Sequence, residues 1–563
     1  MVDQNKSTIF DKLPDKMKKF FTLKNLYIAI LVILVILLSK FGISASLKIK
    51  LDVFKLSIGV IAPIILIIAW FADRKKSLWY ISLLLTAVIA IMAITVTYRE
   101  NRFWLKDTKL KKIFAWNAFH YVYGSKYFNE LGYFDLYNAS LLADRDGDNY
   151  FKNVKKTRGM HDYKIVRVAK ALKEAERQGV RQRFSDERWE DFKRDLRTIR
   201  PYLAEHKWIK CFRDAGFNPS PAFLILHEPL LNNLPIHKRK VLEKLCSVQN
   251  YLFFLTFLVA CWAFGLRATF VMVIWMNVYY GNFHKLAGGY FAYDWFCLAV
   301  VAAALYKKGA SLLPTPLLAY AAMMRGFPGL LATHAGLQWT LSLFKRKWPD
   351  KKRNLFVGGI VFFCMVIVIL GSTTKRGPGA WLEWKEKLHT HSKFMPLDSN
   401  KVGLKFLFAM DFSKMSYKID RKSLKKSLGE NKVALRTTQA FFIFLTLAAM
   451  LRRKNYNGML MGLIIAFSTM VLSRYYISTW VLMFTWTALD KRKIGNLLSS
   501  IWLFFLADLF LYLIMTPGFH KRTPFFTLNL GLLAYFIAIV VNFLVRDYLA
   551  LRKSKLEPIT QEI

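Results

Sequence analysis

Cysteine is scarce in this chain: five in 563 residues, at 211, 246, 261, 297 and 364. Four fall in or beside apolar runs and Cys211 stands alone in a polar stretch, so neither a disulfide framework nor a zinc pattern follows. Acidic residues are also few, 37 against 83 lysines and arginines, which leaves a net charge of +46. No aromatic-and-basic binding module accompanies that charge, and nucleic acid is not expected as a partner. Fixed-period repeats and low-complexity tracts are missing. So are paired Gly/Pro-broken helices in two halves, the mark of many transporters. The apolar run that follows Lys16, Lys18 and Lys19 lacks a convincing small-residue cleavage site, so it reads as a first helix, not a removed signal.

What the chain has is apolar length. Hydrophobic residues make up 54% and aromatics 16%, and runs of about 17–21 residues recur almost to the C-terminus, the length that crosses a hydrocarbon slab of about 30 Å. A soluble chain of this size would divide into several cores joined by polar linkers. The pattern predicts an all-α polytopic membrane protein with spans near 26–43, 55–72, 78–97, 248–264, 266–281, 295–306, 311–325, 328–344, 355–371, 436–451, 456–473, 475–489, 497–516 and 525–545. With the N-terminus inside, the basic clusters at 74–76, 307–308, 345–353, 452–454 and 491–493 and the basic tail after Arg546 all face the cytoplasm. Five regions follow: a membrane segment at 1–97, an extracytoplasmic helical domain at 98–246, central helices at 247–372, a second extracytoplasmic loop at 373–434, and C-terminal helices at 435–563.

That topology gathers the unusual polar residues on the outer side. They include His120, Lys126, Glu130, Asp135, Asp144, Asp146 and Asp148, then His284, Asp294 and Arg325, then Trp381, Glu383, His389, His391, Asp411 and Arg474-Tyr475-Tyr476. Arginine at a span boundary costs roughly 1–3 kcal/mol and needs a partner or a wet cavity. A ring of such groups suits a lipid-linked anionic substrate: a cation pairs with a lipid phosphate while a carboxylate takes a proton from a hydroxyl.

The stretch 117–133, Asn-Ala-Phe-His-Tyr-Val-Tyr-Gly-Ser-Lys-Tyr-Phe-Asn-Glu-Leu-Gly-Tyr, followed by Asp135-Leu136-Tyr137, resembles the first outer loop of C-type (GT-C) glycosyltransferases. The closest branch is that of the bacterial polyprenyl-phosphate-mannose-dependent mannosyltransferases. Asn218-Pro219-Ser220-Pro221 with Glu228-Pro229-Leu230 is similar to the family's proline-rich entry to a span. Gly288-Gly289-Tyr290, Lys307-Lys308-Gly309, Arg325-Gly326-Phe327-Pro328 and Ser473-Arg474-Tyr475-Tyr476 follow in the family's order, over about residues 78–490. The resemblance implies a bundle of about 11–14 membrane helices with a large helical first extracytoplasmic loop. It also implies transfer of a sugar from a polyprenyl-phosphate donor to a hydroxyl of a glycan, lipid or protein acceptor, commonly without a metal or other cofactor. The bacterial cytoplasmic membrane is the expected location, with both termini inside and the site outside.

One position departs from the family. Where its loop opens on an acid, this chain has Asn117, which cannot serve as a base. Glu130, His120, Asp135 and Asp144 are therefore the candidate catalytic groups, and Arg325, Arg474, Tyr475, Tyr476 and Lys126 the candidates for the donor phosphate. Each has a plainer reading: a packed histidine, helix-capping acids, snorkelling arginines, an aromatic belt. Asp144-Arg145-Asp146-Gly147-Asp148 lacks the Gly position and closing glutamate of a calcium loop and reads as a solvated turn. His389-Thr390-His391 is at most a two-ligand fragment. The rival functions are a transporter or flippase, or a non-catalytic binder of a lipid-linked sugar.

Overall fold

The computed structural model describes residues 51–72, 76–104, 113–282, 286, 288–394, 401–409, 421–489, 494–518 and 523–556. The expected span at 26–43, the basic cluster at 491–493, most of that at 74–76, His284 and Asp411 lie outside the described residues.

The chain is an all-α membrane protein, 78% helical, and its strands among the described residues form two short antiparallel ribbons, Lys156–Arg158 with Ile165–Arg167 and Lys401–Val402 with Leu472–Ser473. Seven described helices are long and apolar enough to cross a membrane: Asp52–Phe71, Trp79–Tyr98, Arg239–Phe264, Lys351–Gly371, Lys432–Met450, Gly495–Met515 and Thr523–Arg552. Each carries exposed large apolar side chains, such as Ile64, Phe254, Val361, Phe444 and Ile537, as expected of surfaces that face lipid.

Six other expected spans take a different form. Leu266–Val278, Asp294–Lys307, Pro314–Arg325, Thr333–Phe344 and Asn455–Thr469 are helices of 12 to 15 residues. Residues 475–489 fall in a 3₁₀ helix, Arg474–Met483, followed by a six-residue helical turn. Most of these elements are buried. In Asn455–Thr469, for example, the run from Gly458 to Ser468 is enclosed throughout. Most of the short helices therefore lie in the interior, while Thr333–Phe344 buries only His334 and Ala335. Several of these runs are short in the sequence, as at 295–306 and 475–489, which allows re-entrant or half-helices, but composition does not say which, because an apolar run looks the same whether lipid or protein covers it.

A polar helical domain occupies residues 113–238. It opens with Ala115–Ala118, passes through a π-helical turn at Phe119–Tyr123 and ends that stretch at Leu131. The helices Leu136–Arg145 and Asp186–Ile199 pack on it. The latter starts at Ser185, whose hydroxyl accepts the Arg188 N–H, with Asp186 and Glu187 in its first turn, a favourable N-terminus. Aromatic packing fills the core: Phe119 stacks at 6.2 Å on Tyr137 and meets Trp208 edge-on at 5.2 Å. Gly379–Phe394, from the expected second loop, lies across this domain; Arg376 pairs with Glu383, and Glu383 accepts the Tyr133 N–H.

Close backbone approach holds the interior together. A Cβ on Gly462 would lie 2.0 Å from the Leu330 carbonyl oxygen, so Gly462→Ala should destabilise by about 1–3 kcal/mol. Gly336→Ala, where a Cβ meets nothing within 4 Å, should be near neutral. Thermal unfolding in detergent separates them; equal midpoints for the two variants would refute the tight-packing account.

Candidate functional site

Two short helices form an antiparallel hairpin, Asp294–Lys307 and Pro314–Arg325, joined through Lys307-Lys308-Gly309. Proline at the first position of the second helix fits its start, and Gly326, at φ +69°, ends it in the left-handed region that glycine favours. Because the helices run in opposite directions, Asp294 at the first position of one and Arg325 at the last of the other share one end of the hairpin. Each sits where the helix dipole favours its charge.

Asp294 is buried. Its Oδ1 accepts the Trp295 N–H at 2.7 Å and its Oδ2 accepts the Tyr320 hydroxyl at 3.1 Å. Arg325 donates through Nη2 to the Tyr121 hydroxyl of the polar domain, and its guanidinium lies 5.8 Å from the Tyr476 ring. The Arg325 Nε is buried without a hydrogen-bond partner, and Asp294, Tyr475 and Tyr476 are all within its electrostatic reach. Tyr475 and Tyr476 meet at 4.4 Å between ring centroids, and Tyr476 also packs on Trp295 and Phe327, each at 5.2 Å. The result is one carboxylate and one guanidinium held in an aromatic surround, with a donor atom of the guanidinium left over.

Further cations border this cluster. Lys401 is paired in register with Ser473 and donates to its hydroxyl at 3.0 Å. The ribbon is fixed by Asn529, whose Oδ1 accepts the Gly403 N–H at 2.6 Å. Arg474, the next residue after Ser473, lies over the Tyr280 ring at 5.7 Å. His391 accepts or donates a bond at 3.3 Å to the Tyr163 hydroxyl. Its pKa is pushed down to about 4 by burial first, then by Lys401 and Lys387, with Arg325 adding to the effect against the pull of Asp214. The ring is thus neutral in a cationic neighbourhood.

The other expected residues are placed differently. Lys126 forms a buried pair with Asp195 at 2.7 Å, shared with the Tyr127 hydroxyl at 2.6 Å. Asp135 accepts from Arg183 at 2.8 Å. Asp144 accepts from Arg200 at 2.6 Å and from the N–H groups of Tyr150 and Phe151, closing the acidic turn. His120 is buried with both ring nitrogens engaged, to the Trp116 carbonyl at 2.8 Å and the Tyr137 hydroxyl at 2.7 Å, and burial lowers its pKa. Glu130 binds Arg188 at 2.8 Å through Oε1, while its buried Oε2 has no partner. Nearby Glu228 has its pKa raised by burial, and the Glu130 charge adds to the rise. Among the described residues no three His, Cys, Asp or Glu side chains lie placed to hold a metal ion.

The structure therefore groups Arg325, Tyr475 and Tyr476 with Asp294, Tyr121, Tyr320 and Lys401, and engages Lys126, Glu130, Asp135, Asp144 and His120 inside the polar domain. No protein-family model, curated protein or solved structure matches the chain. Lys401 could not be found from sequence, since only the ribbon pairing brings it to Ser473. Tyr121 had a signal: it falls four residues after Asn117, whose Oδ1 accepts the Tyr290 N–H at 2.6 Å, so both point from one helix face to the bundle.

Lys387 ties the crossing helix to the polar domain. It is 1% exposed, donates to the Met160 sulfur at 2.9 Å and sits over the Tyr163 and Phe134 rings. Burial pushes its pKa down to about 7 from 10.5, against the pull of Asp214. The unfolded chain keeps this proton up to about 10.5 and the folded one releases it near 7, so stability should rise with pH across that window and be lost as pH falls through it. Lys387→Met should flatten the rise in thermal midpoint between those pH values; parallel profiles for both proteins would remove Lys387 as its source.

Proposed function

We propose that this chain is a membrane glycosyltransferase that moves a sugar from a polyprenyl-phosphate donor to a hydroxyl acceptor on the extracytoplasmic face. The observation that carries the reading is the juxtaposition of Asp294 and Arg325 where the short hairpin meets the polar domain. In the transfer, the acceptor oxygen bonds to the anomeric carbon as the bond from that carbon to the phosphate oxygen breaks. Arg325, with a free donor at Nε, stabilises the negative charge that grows on the departing lipid phosphate. Lys401 and Arg474 extend the cationic border along which a head group is drawn in. Tyr475 and Tyr476 form the aromatic wall beside Arg325.

The proton of the attacking hydroxyl goes to Asp294. This differs from the first-loop acids that the sequence favours, because Glu130, Asp135 and Asp144 each hold an arginine of the polar domain. A carboxylate in direct contact with a guanidinium is a poor proton acceptor, and Asp294 has no cation in ion-pair contact among the described residues. The Asp294 Oδ2 gives up only a hydrogen bond from the Tyr320 hydroxyl, and that donor can turn to substrate. Its burial strengthens the electrostatics that a reaction between charged groups needs.

Mass spectrometry of lipids that co-purify in mild detergent tests the reading. Wild-type protein should retain a polyprenyl-phosphate sugar, and Arg325→Ala should lose it, with affinity reduced about 10- to 100-fold for one charge-assisted contact. Asp294→Asn should keep the lipid but lower turnover by roughly 10²- to 10⁴-fold. Recovery of ordinary phospholipid alone, or full retention by Arg325→Ala, would sink the donor site. Unchanged turnover in Asp294→Asn would move the base elsewhere.

A further inference from the structure

The ribbon formed by Lys156–Arg158 and Ile165–Arg167 pairs Lys156 directly opposite Arg167. Like charges in that position destabilise a two-stranded ribbon, and both side chains are exposed. The neighbouring positions add to the problem. Lys155 is exposed and its carbonyl accepts the Val168 N–H, so it lies beside the start of the helix Val168–Arg177, which carries exposed Lys170 and Lys173. On the other edge, the Phe212 carbonyl accepts from Arg158 N–H and from the Thr157 hydroxyl, which places exposed Lys210 near the first strand.

The acids close by are already engaged. Asp162 pairs with Lys164 at 3.3 Å, Glu174 with Arg177 at 2.6 Å, and Glu176 with Arg145 at 2.6 Å. Lys156, Arg167, Lys170 and Lys173 have no carboxylate in ion-pair contact among the described residues. An evenly mixed solvated surface would alternate signs, whereas this one concentrates one sign at a point where the backbone pairing is weakened by it.

We propose that this ribbon and the adjoining helix bind a linear polyanion, a soluble chain bearing phosphate or carboxylate groups at intervals. The cations are strung along two elements and do not converge on one pocket, which fits a chain contacted at many weak points, not a single small anion. A lipid surface fits less well. Ile165 is the one large apolar side chain exposed on the ribbon, and membrane-surface elements present a wide apolar face beside their basic residues. The inference rests on this surface alone and stands or falls independently of sugar transfer.

Fluorescence anisotropy of labelled linear polyphosphate with the full-length protein in neutral detergent, over a series of salt concentrations, tests the proposal. Binding should weaken steeply with salt. Lys156→Glu with Arg167→Glu should reduce affinity by roughly tenfold or more and make the log–log salt slope shallower. Lys156→Thr is the second readout: relief of the like-charge pair should raise the thermal midpoint while it weakens binding. Inorganic phosphate at equal phosphate concentration should not compete. Unchanged affinity in the double variant would overturn the proposal. So would competition by inorganic phosphate, or binding to anionic phosphatidylglycerol vesicles without binding to polyphosphate.

Discussion

A helix rises about 1.5 Å per residue, so the 14 residues of Asp294–Lys307 cover roughly 21 Å of a slab that is about 30 Å thick. A hairpin of two such helices reaches one face at most. Its other end must stop inside protein, where the terminal N–H and C=O groups have no water to bind. Asp294 and Arg325 answer that constraint, one accepting N–H at a helix start and the other placing its cation at a helix end. The same shortness that makes the hairpin dependent on its surroundings thus gathers buried polar groups where it meets the 113–238 domain.

The 113–238 domain meets those groups through Tyr121 and Asn117, which carry no charge. Its acids and cations are matched internally: Lys126 with Asp195, Arg183 with Asp135, Arg188 with Glu130, Arg200 with Asp144. Breaking one member of a buried pair leaves an uncompensated charge at a cost of about 3–5 kcal/mol. Such groups are poor candidates for a cycle that protonates and deprotonates them. Asp294 is held directly by a backbone N–H and a tyrosine hydroxyl, neither of which carries charge, and Arg325 acts on it at longer range.

How far the sequence reveals this differs by level. The seven long helices were legible, because apolar length with basic flanks is a property of the segment itself. The division between long helices and short buried ones was legible only in part: several runs were short enough for half-helices, but Asn455–Thr469 and Lys432–Met450 have similar composition and differ in what covers them. Arg325, Tyr475 and Tyr476 could be named as a group from their place at apolar-run ends. The pairing of Glu130, Asp135 and Asp144 with arginines 48 to 58 positions away could not, because nothing local marks a partner at that separation. Lys401 was hidden for the same reason, its position set by a two-residue ribbon.

Asn117 looked like a defect in the sequence and takes a definite place in the structure. Its Oδ1 accepts the Tyr290 N–H, and Phe114 N–H reaches the Gly288 carbonyl at 2.7 Å beside it, so this face of the helix fastens the polar domain to the turn that leads into Asp294. A carboxylate could accept the same bond, but it would put a second negative charge in a buried junction close to the one at Asp294, and two carboxylates in one dry site hold each other's protons. A neutral amide keeps the fastening and leaves a single acid facing Arg325. In the proposed reading, the asparagine and the aspartate are then parts of one arrangement, in which the charge has moved from the first loop to the hairpin end.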